Sequence, residues 1–205
     1  MQSPALPLLE FPELADSPIH AALSLRSPRL PVAYDKMVAI DALMPLLSRV
    51  LVQRAPNRLL VTAEQTHGKE LAIIHADVPP MPVPIVDGLL TARNDIVLGV
   101  AVADCCPVWL WTPDGSAVAI VHAGRKGTEA GIAAAAANLL ATHSGHPVDS
   151  LGAFLGPCIR PPCYEIDIPA LLHAQLAAAG VKDRRDCQLN TATDLARFYS
   201  YRTEK

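Results

Sequence analysis

Aromatic residues are scarce in this chain, 4% of 205 residues, so a folded core must rest on Leu, Val, Ile and Ala. A basic cluster is also missing and the formal net charge is −3. That removes the electrostatic footprint of a nucleic-acid-binding protein. No run of 18 uninterrupted apolar residues occurs, so no membrane span is expected. Residues 1–20 lack the basic start and apolar run of a signal peptide. The five cysteines, an odd number in a chain of ordinary size, argue against a disulfide framework and for a reducing compartment. The expected location is the cytoplasm. What is present is a hydrophobic fraction of 51% against 18% charged residues, the balance of a folded and not a disordered chain. The length predicts one domain over residues 1–205.

Residues 1–34 hold six of the 19 prolines and read as irregular, with one short strand over 20–25. A helix is expected over 35–52, where Met37, Ile40, Leu43, Met44 and Leu47 recur at helical spacing; Pro45 should end or kink it. Strands are predicted over 59–65 and 71–75, and four prolines make 77–84 a loop. Apolar runs at 96–102, 108–111 and 117–122 read as buried strands, with Thr112-Pro113-Asp114-Gly115 as a hairpin turn. Thr128 is read as the N-cap of an alanine-rich helix running to about Ala141. A strand follows at 151–155. A helix over 168–179 has Asp167 as cap, Pro169 in its first turn and Gly180 just past its end. Hairpin strands mixed with separate helices favour the α+β class.

Three side chains stand out for chemistry: His67 in Gln65-Thr66-His67-Gly68, Cys105 in Ala103-Asp104-Cys105-Cys106-Pro107, and His122 in Val121-His122-Ala123-Gly124. Separations of 38 and 17 residues rule out a short zinc knuckle, but a folded sheet could assemble them. Three N/S donors that leave a fourth position open are what a catalytic zinc requires. Taken one at a time, each is as readily a hydrogen-bonded histidine or an inert cysteine. Side-chain alternation sends Cys105 and Cys106 to opposite faces, so only one can be a ligand, and the pattern does not choose. A thiol nucleophile paired with histidine needs the same residue types without a metal. Asp104 is either a partner that orients a ligand histidine or a turn carboxylate.

Gly124, Arg125, Lys126, Gly127 and Thr128 lie between an expected strand and helix. Free backbone N–H groups and a helix dipole make such a turn a candidate anion site, with an ordinary glycine turn as the plainer reading. Cys158 and Cys163 could form a clip, though one ligand pair is weak and packing explains them better. His20, His75, His143, His146 and His173 have no companions at useful spacing, and His143 and His146 read as solvated.

In order, these motifs and Asp87-Gly88-Leu89-Leu90-Thr91, Leu155-Gly156-Pro157, Cys163-Tyr164-Glu165 and Phe198-Tyr199-Ser200-Tyr201-Arg202 resemble the laccase-domain family. This is also called the polyphenol oxidase or purine nucleoside phosphorylase family, and it has peptidoglycan-editing members. The resemblance covers 59–202; the N-terminal 58 or so residues diverge. It implies a four-layer α/β/β/α sandwich with mixed sheets. It implies zinc on His67, Cys105 and His122, with copper the weaker alternative because one such trio does not supply the several copper sites that oxygen reduction to water requires. The implied activity is phosphorolysis of adenosine, inosine, guanosine and methylthioadenosine, with some adenosine deamination; purine nucleoside and phosphate would be the partners. Hydrolytic editing of a cell-wall precursor and a non-catalytic binding role are the alternatives. Asp87, Asp104 and Glu165 are candidates for proton transfer, and Arg26 matches the arginine of the family's Ser-Thr-Arg strand. The chain departs from the family in having Arg125 where tryptophan is usual, in lacking the N-terminal glycine-rich motif, and in stopping at Lys205 where relatives continue into a final strand.

Overall fold

The computed structural model describes residues 6–27, 36–75, 77 and 81–205. In chain order the elements are β1 (Leu8–Glu10), β2 (Ala22–Ser24), α1 (Lys36–Arg54), β3 (Leu59–Thr62), β4 (Leu71–Ile73) and β5 (Gly88–Thr91). There follow β6 (Ile96–Gly99), β7 (Cys106–Trp111), β8 (Val118–Ala123), α2 (Arg125–Glu129) and α3 (Ile132–Ser144). The chain closes with β9 (Gly152–Leu155), α4 (Ile168–Ala179), β10 (Asp183–Asp186) and α5 (Tyr201–Glu204). The molecule is α+β, with parallel and antiparallel pairs in its main sheet.

That sheet has six strands in the order β10-β9-β7-β8-β5-β4. The β7–β8 hairpin is its centre, closed by a turn in which the Gly115 N–H donates to the Thr112 carbonyl at 3.0 Å. Alternation gives each strand two apolar faces. Val108, Leu110, Val121, Ala153 and Leu155 pack beneath α3 and α4 with Ile132, Leu140, Leu172 and Leu176. On the other face Leu89 and Ile120 meet Val61, Ala63 and Ile96, which belong to or flank the two-stranded parallel sheet β3–β6. Further along that face, Phe11 and Leu14 from the N-terminal segment cover Trp111 and Phe154. Helices, large sheet and small sheet thus form three packed layers. On α1, Val38 and Val52 are 54% and 73% exposed.

Several expectations are corrected. Pro45 does not end the helix, which continues to Arg54. Proline removes the hydrogen bond to the carbonyl of Asp41, but both residues are exposed, so water can serve that carbonyl. Thr128 is not a cap. Gly124 precedes α2, and Gly131, at φ +85°, breaks the chain before α3 starts. The sequence reading missed three strands. β1 and β2 pair over three residues each, which is short for a periodic signal, and only β2 was expected. β5 is a four-residue strand, buried throughout and opened by glycine. β10 reads Asp-Arg-Arg-Asp because it is an edge strand, where charge is tolerated. Of the proline-rich loop, residues 78–80 lie outside the described residues, as do 1–5 and 28–34 of the irregular N-terminal stretch. The helix over 168–179 forms as read: Asp167 Oδ1 accepts from the Ala170 N–H at 3.0 Å, and Gly180 ends the helix at φ +102°.

Candidate metal centre

Strand register assembles two of the three chemical side chains. In the antiparallel pairing of β7 with β8, Pro107 faces His122 and Cys106 faces Ala123. Just beyond the last pair, Cys105 Sγ lies beside Gly124. The Cys105 thiol lies on the side of His122, while Cys106 is fully buried in the core beneath α3 and α4. The choice the sequence left open is made by this register. On the other edge of β8, β5 runs antiparallel with Gly88 opposite Val121. This brings Asp87 level with His122, whose N–H donates to the Asp87 carbonyl at 2.7 Å.

His67 arrives on the turn between β3 and β4, and Asp87 fastens that turn. Its carboxylate accepts from the N–H groups of Thr66, His67 and Gly68 at 3.0, 2.9 and 2.7 Å, and from the Thr66 hydroxyl at 3.1 Å. The Nδ1–H of His122 donates to the same carboxylate at 2.9 Å, which leaves Nε2 for a ligand. Burial pushes the Asp87 carboxyl up, but the His122 hydrogen bond and the backbone N–H groups outweigh it and hold it well below the usual carboxylate range. Gln65 fastens the same turn to the Cys105 segment. Its amide donates to the Ala101 carbonyl at 2.6 Å and accepts from the Ala101 N–H at 2.8 Å. Gln65, His67 and Asp104 take φ of +63°, +62° and +82°. Such backbone costs roughly 1–3 kcal/mol per residue and persists only where surrounding bonds enforce it.

The outcome is that the ligand atoms of His67, Cys105 and His122 lie within 4.8 Å of one another, the only group of three or more such side chains found among the described residues. The His67 and His122 rings stand edge to face, 4.8 Å between centroids. His122 is buried and His67 exposed, so the group opens to solvent on the His67 side. A Cβ on Gly124 would lie 3.0 Å from Cys105 Sγ and 3.1 Å from the His67 ring, so glycine keeps this cradle open. Two imidazoles and a thiol are borderline-to-soft donors that suit zinc or copper. Burial, with the Asp104 carboxylate next, pushes the Cys105 thiol up to about 12. A bound cation would oppose both effects. The residues fit a transition-metal ion.

The remaining candidates sit as follows. Asp104 is buried, and its carboxylate is occupied by Thr191 and Ser200 hydroxyls and the Arg202 N–H. Arg26 pairs with Glu204 at 2.7 Å and lies over the Tyr199 ring. Arg125 is exposed and shares Glu129 and Glu165, and Glu165 also pairs with Arg202. Lys126 is exposed as well. Thr128 corrects the anion-turn reading: its N–H donates to the Gly124 carbonyl and its buried hydroxyl has no partner, so it offers nothing to solvent. Gly127 packs so tightly that a Cβ would come 2.5 Å from the Gly68 carbonyl oxygen, which docks α2 on the His67 turn. Cys158 is fully buried, and Cys158 and Cys163 belong to no such group. His75 and His143, read as companionless, stand with ring centroids 5.7 Å apart beside Arg93. The sequence reading missed the strap role of Gln65; the only available signal was its place two residues before His67.

The family model for multi-copper polyphenol oxidoreductase laccase matches residues 35–169 and 164–205. A protein named purine nucleoside phosphorylase from Streptomyces coelicolor is 32% identical, over 71% of this chain and 70% of its own length. One named adenosine deaminase, from an unknown prokaryotic organism, is 32% identical over 66% of this chain and 53% of its own length. The crystal structure of YlmD from Geobacillus stearothermophilus superposes with a TM-score of 0.77 at 24% identity, covering 94% of this chain and 88% of YlmD. Motif order, fold and matched length agree, and the chain belongs to the multi-copper polyphenol oxidoreductase laccase family.

Proposed function

We propose that the chain is a zinc-dependent purine nucleoside phosphorylase acting on adenosine, inosine, guanosine and methylthioadenosine. The observation that carries this is the His67–Cys105–His122 group, open on one side, in a chain 32% identical to a protein of that name. Zinc is favoured over copper because one such group is found among the described residues. Purine nucleoside and phosphate are then the partners. Five free cysteines suit a reducing compartment, the cytoplasm. No helix among the described residues is long and apolar enough to cross a membrane.

A zinc ion at this site would supply a Lewis acid that polarises a bound oxygen. The chain's own residues do the rest. Asp87 keeps the His122 proton on Nδ1 and holds the His67 turn; with five donors on its carboxylate it serves as a positioning group and not as a proton carrier. Arg125 and Lys126, exposed beside Gly124, attract phosphate, and the N–H groups of Arg125, Lys126 and Gly127 in the first turn of α2 have no carbonyl earlier in that helix to bond. Glu165, between Arg125 and Arg202, is one of two exposed carboxylates on Arg125, with Glu129, and is the candidate for proton transfer to the departing purine.

The test is release of purine base from adenosine and inosine by the zinc-loaded protein, with and without phosphate. The expected result is phosphate-dependent release with ribose-1-phosphate as co-product, abolished in a folded His67→Ala variant. Release that ignores phosphate, or that survives His67→Ala, overturns the reading. A second activity, deamination of adenosine to inosine, is supported by the relative named adenosine deaminase and is read as inosine and ammonia formed from adenosine without phosphate.

A further inference from the structure

We infer that residues 190–204, pinned by Arg26, are a positioning latch for the Cys105 thiol. The inference rests on the reading that His67, Cys105 and His122 hold a metal. Cys105 belongs to no strand or helix; it follows Asp104 on a bend just before β7. Asp104 holds a left-handed φ of +82°, backbone that carries a cost and persists where surrounding bonds enforce it. Its carbonyl accepts from the Ile159 N–H at 2.9 Å. The residue is 7% exposed, and its carboxylate accepts from Thr191 Oγ1 at 2.6 Å, Ser200 Oγ at 3.0 Å and the Arg202 N–H at 2.7 Å. These three donors all come from the last fifteen residues of the chain.

That segment is in turn tied back across the molecule. The Ser200 N–H donates to Glu204 Oε2 at 3.0 Å, and Glu204 Oε1 meets Arg26 at 2.7 Å. The Arg26 N–H donates to the Arg197 carbonyl at 2.7 Å, and the Ser27 N–H donates to the Tyr199 hydroxyl at 3.2 Å. A continuous chain of polar contacts thus runs from Arg26 through Glu204 and Ser200 to Asp104, the residue before Cys105. Metal–ligand distances fall within about ±0.2 Å of their standard values, so a bend held still at Asp104 keeps the neighbouring thiol where a metal needs it. Arg26 and Asp104 act in this way through Cys105, without touching substrate.

The test is titration of the metal-stripped full-length protein with Co²⁺, followed by the thiolate-to-cobalt charge-transfer absorption, with the thermal midpoint of the metal-free protein measured in parallel. Loss of such outer partners costs about 10–100-fold in metal affinity. Ser200→Ala is expected within that range, Glu204→Gln and Arg26→Ala near its lower end, and Arg26→Lys close to wild type because it keeps the charge on Glu204. Ser200→Ala combined with Arg26→Ala should weaken binding little beyond Ser200→Ala alone, since both break one chain. A purely structural role would lower the thermal midpoint and leave Co²⁺ affinity unmoved; that result overturns the latch. If Ser200→Ala does not fold, the Arg26→Ala and Arg26→Lys pair decides, at the outer end of the chain where the side chain is 26% exposed. A wild-type protein that takes no Co²⁺ on its thiolate instead overturns the metal reading, and the latch with it.

Discussion

Adjacent cysteines with opposite fates give the sharpest expectation at the scale of single residues. Cys105→Ser should abolish the thiolate–cobalt absorption. Cys106→Ser should keep it and lower stability by about 1–3 kcal/mol, because a hydroxyl replaces a thiol in the core. Equal loss of the absorption in both variants would mean the register described for β7 and β8 is wrong. Asp87→Asn removes the charge that five donors share, and Co²⁺ affinity is expected to drop about 10–100-fold. Away from the site, burial pushes the Cys187 thiol up to about 12 from an ordinary 9.0. A raised folded value stabilises the protein fully below 9.0, and that stabilisation is lost as pH rises toward 12. Thermal midpoints measured from pH 8 upward should therefore fall less steeply in Cys187→Ala than in wild type; parallel curves would show that Cys187 does not titrate late.

Elements carry different expectations, because here whole turns and helices move. Gly127→Ala places a Cβ 2.5 Å from the Gly68 carbonyl oxygen, so α2 and the His67 turn must separate. Overpacking of this kind costs roughly 1–3 kcal/mol. Urea unfolding should show that loss together with weakened Co²⁺ binding; stability loss alone would mean the His67 turn does not follow α2. In α1, Pro45 sits exposed inside a helix, where proline costs about 3 kcal/mol against alanine. Pro45→Ala should raise α1 stability by up to about that amount, read as a later loss of helical circular dichroism with denaturant. Leu172 in α4 is fully buried against the main sheet, and Leu172→Ala should cost about 2–5 kcal/mol in the same experiment.

For the whole molecule the metal group is a link between distant parts: the β3–β4 turn, the start of β7 and the end of β8. Zinc that binds the folded state alone should stabilise it by about 2.7 kcal/mol at a hundredfold excess over Kd. Calorimetry with added zinc and with a chelator tests this. The increment should vanish in His67→Ala and in Cys105→Ser, and an increment that persists in both would locate the ion elsewhere.

The sequence by itself determined whatever local chemistry decides. The hairpin at Thr112–Gly115 followed from turn residues. The helix Ile168–Ala179 followed from its aspartate cap, first-turn proline and closing glycine. The α+β class followed from the order of apolar runs, and the family from its ordered motifs. Even the residue types of the candidate metal group were visible, because histidine and cysteine beside turns are chemically conspicuous. Only the tertiary structure decided what depends on pairing between remote segments. Nothing local distinguishes Cys105 from Cys106; the folded sheet does, by setting the Cys105 thiol beside Gly124 and pairing Cys106 with Ala123. Nothing local marks Asp87 as the anchor of two donor residues, Gln65 as a strap to Ala101, or Arg26 as the far end of a chain reaching Asp104. Hydrogen-bond partners 35, 36 and 96 residues apart leave no periodic trace in a sequence, since the folded sheet alone sets their proximity.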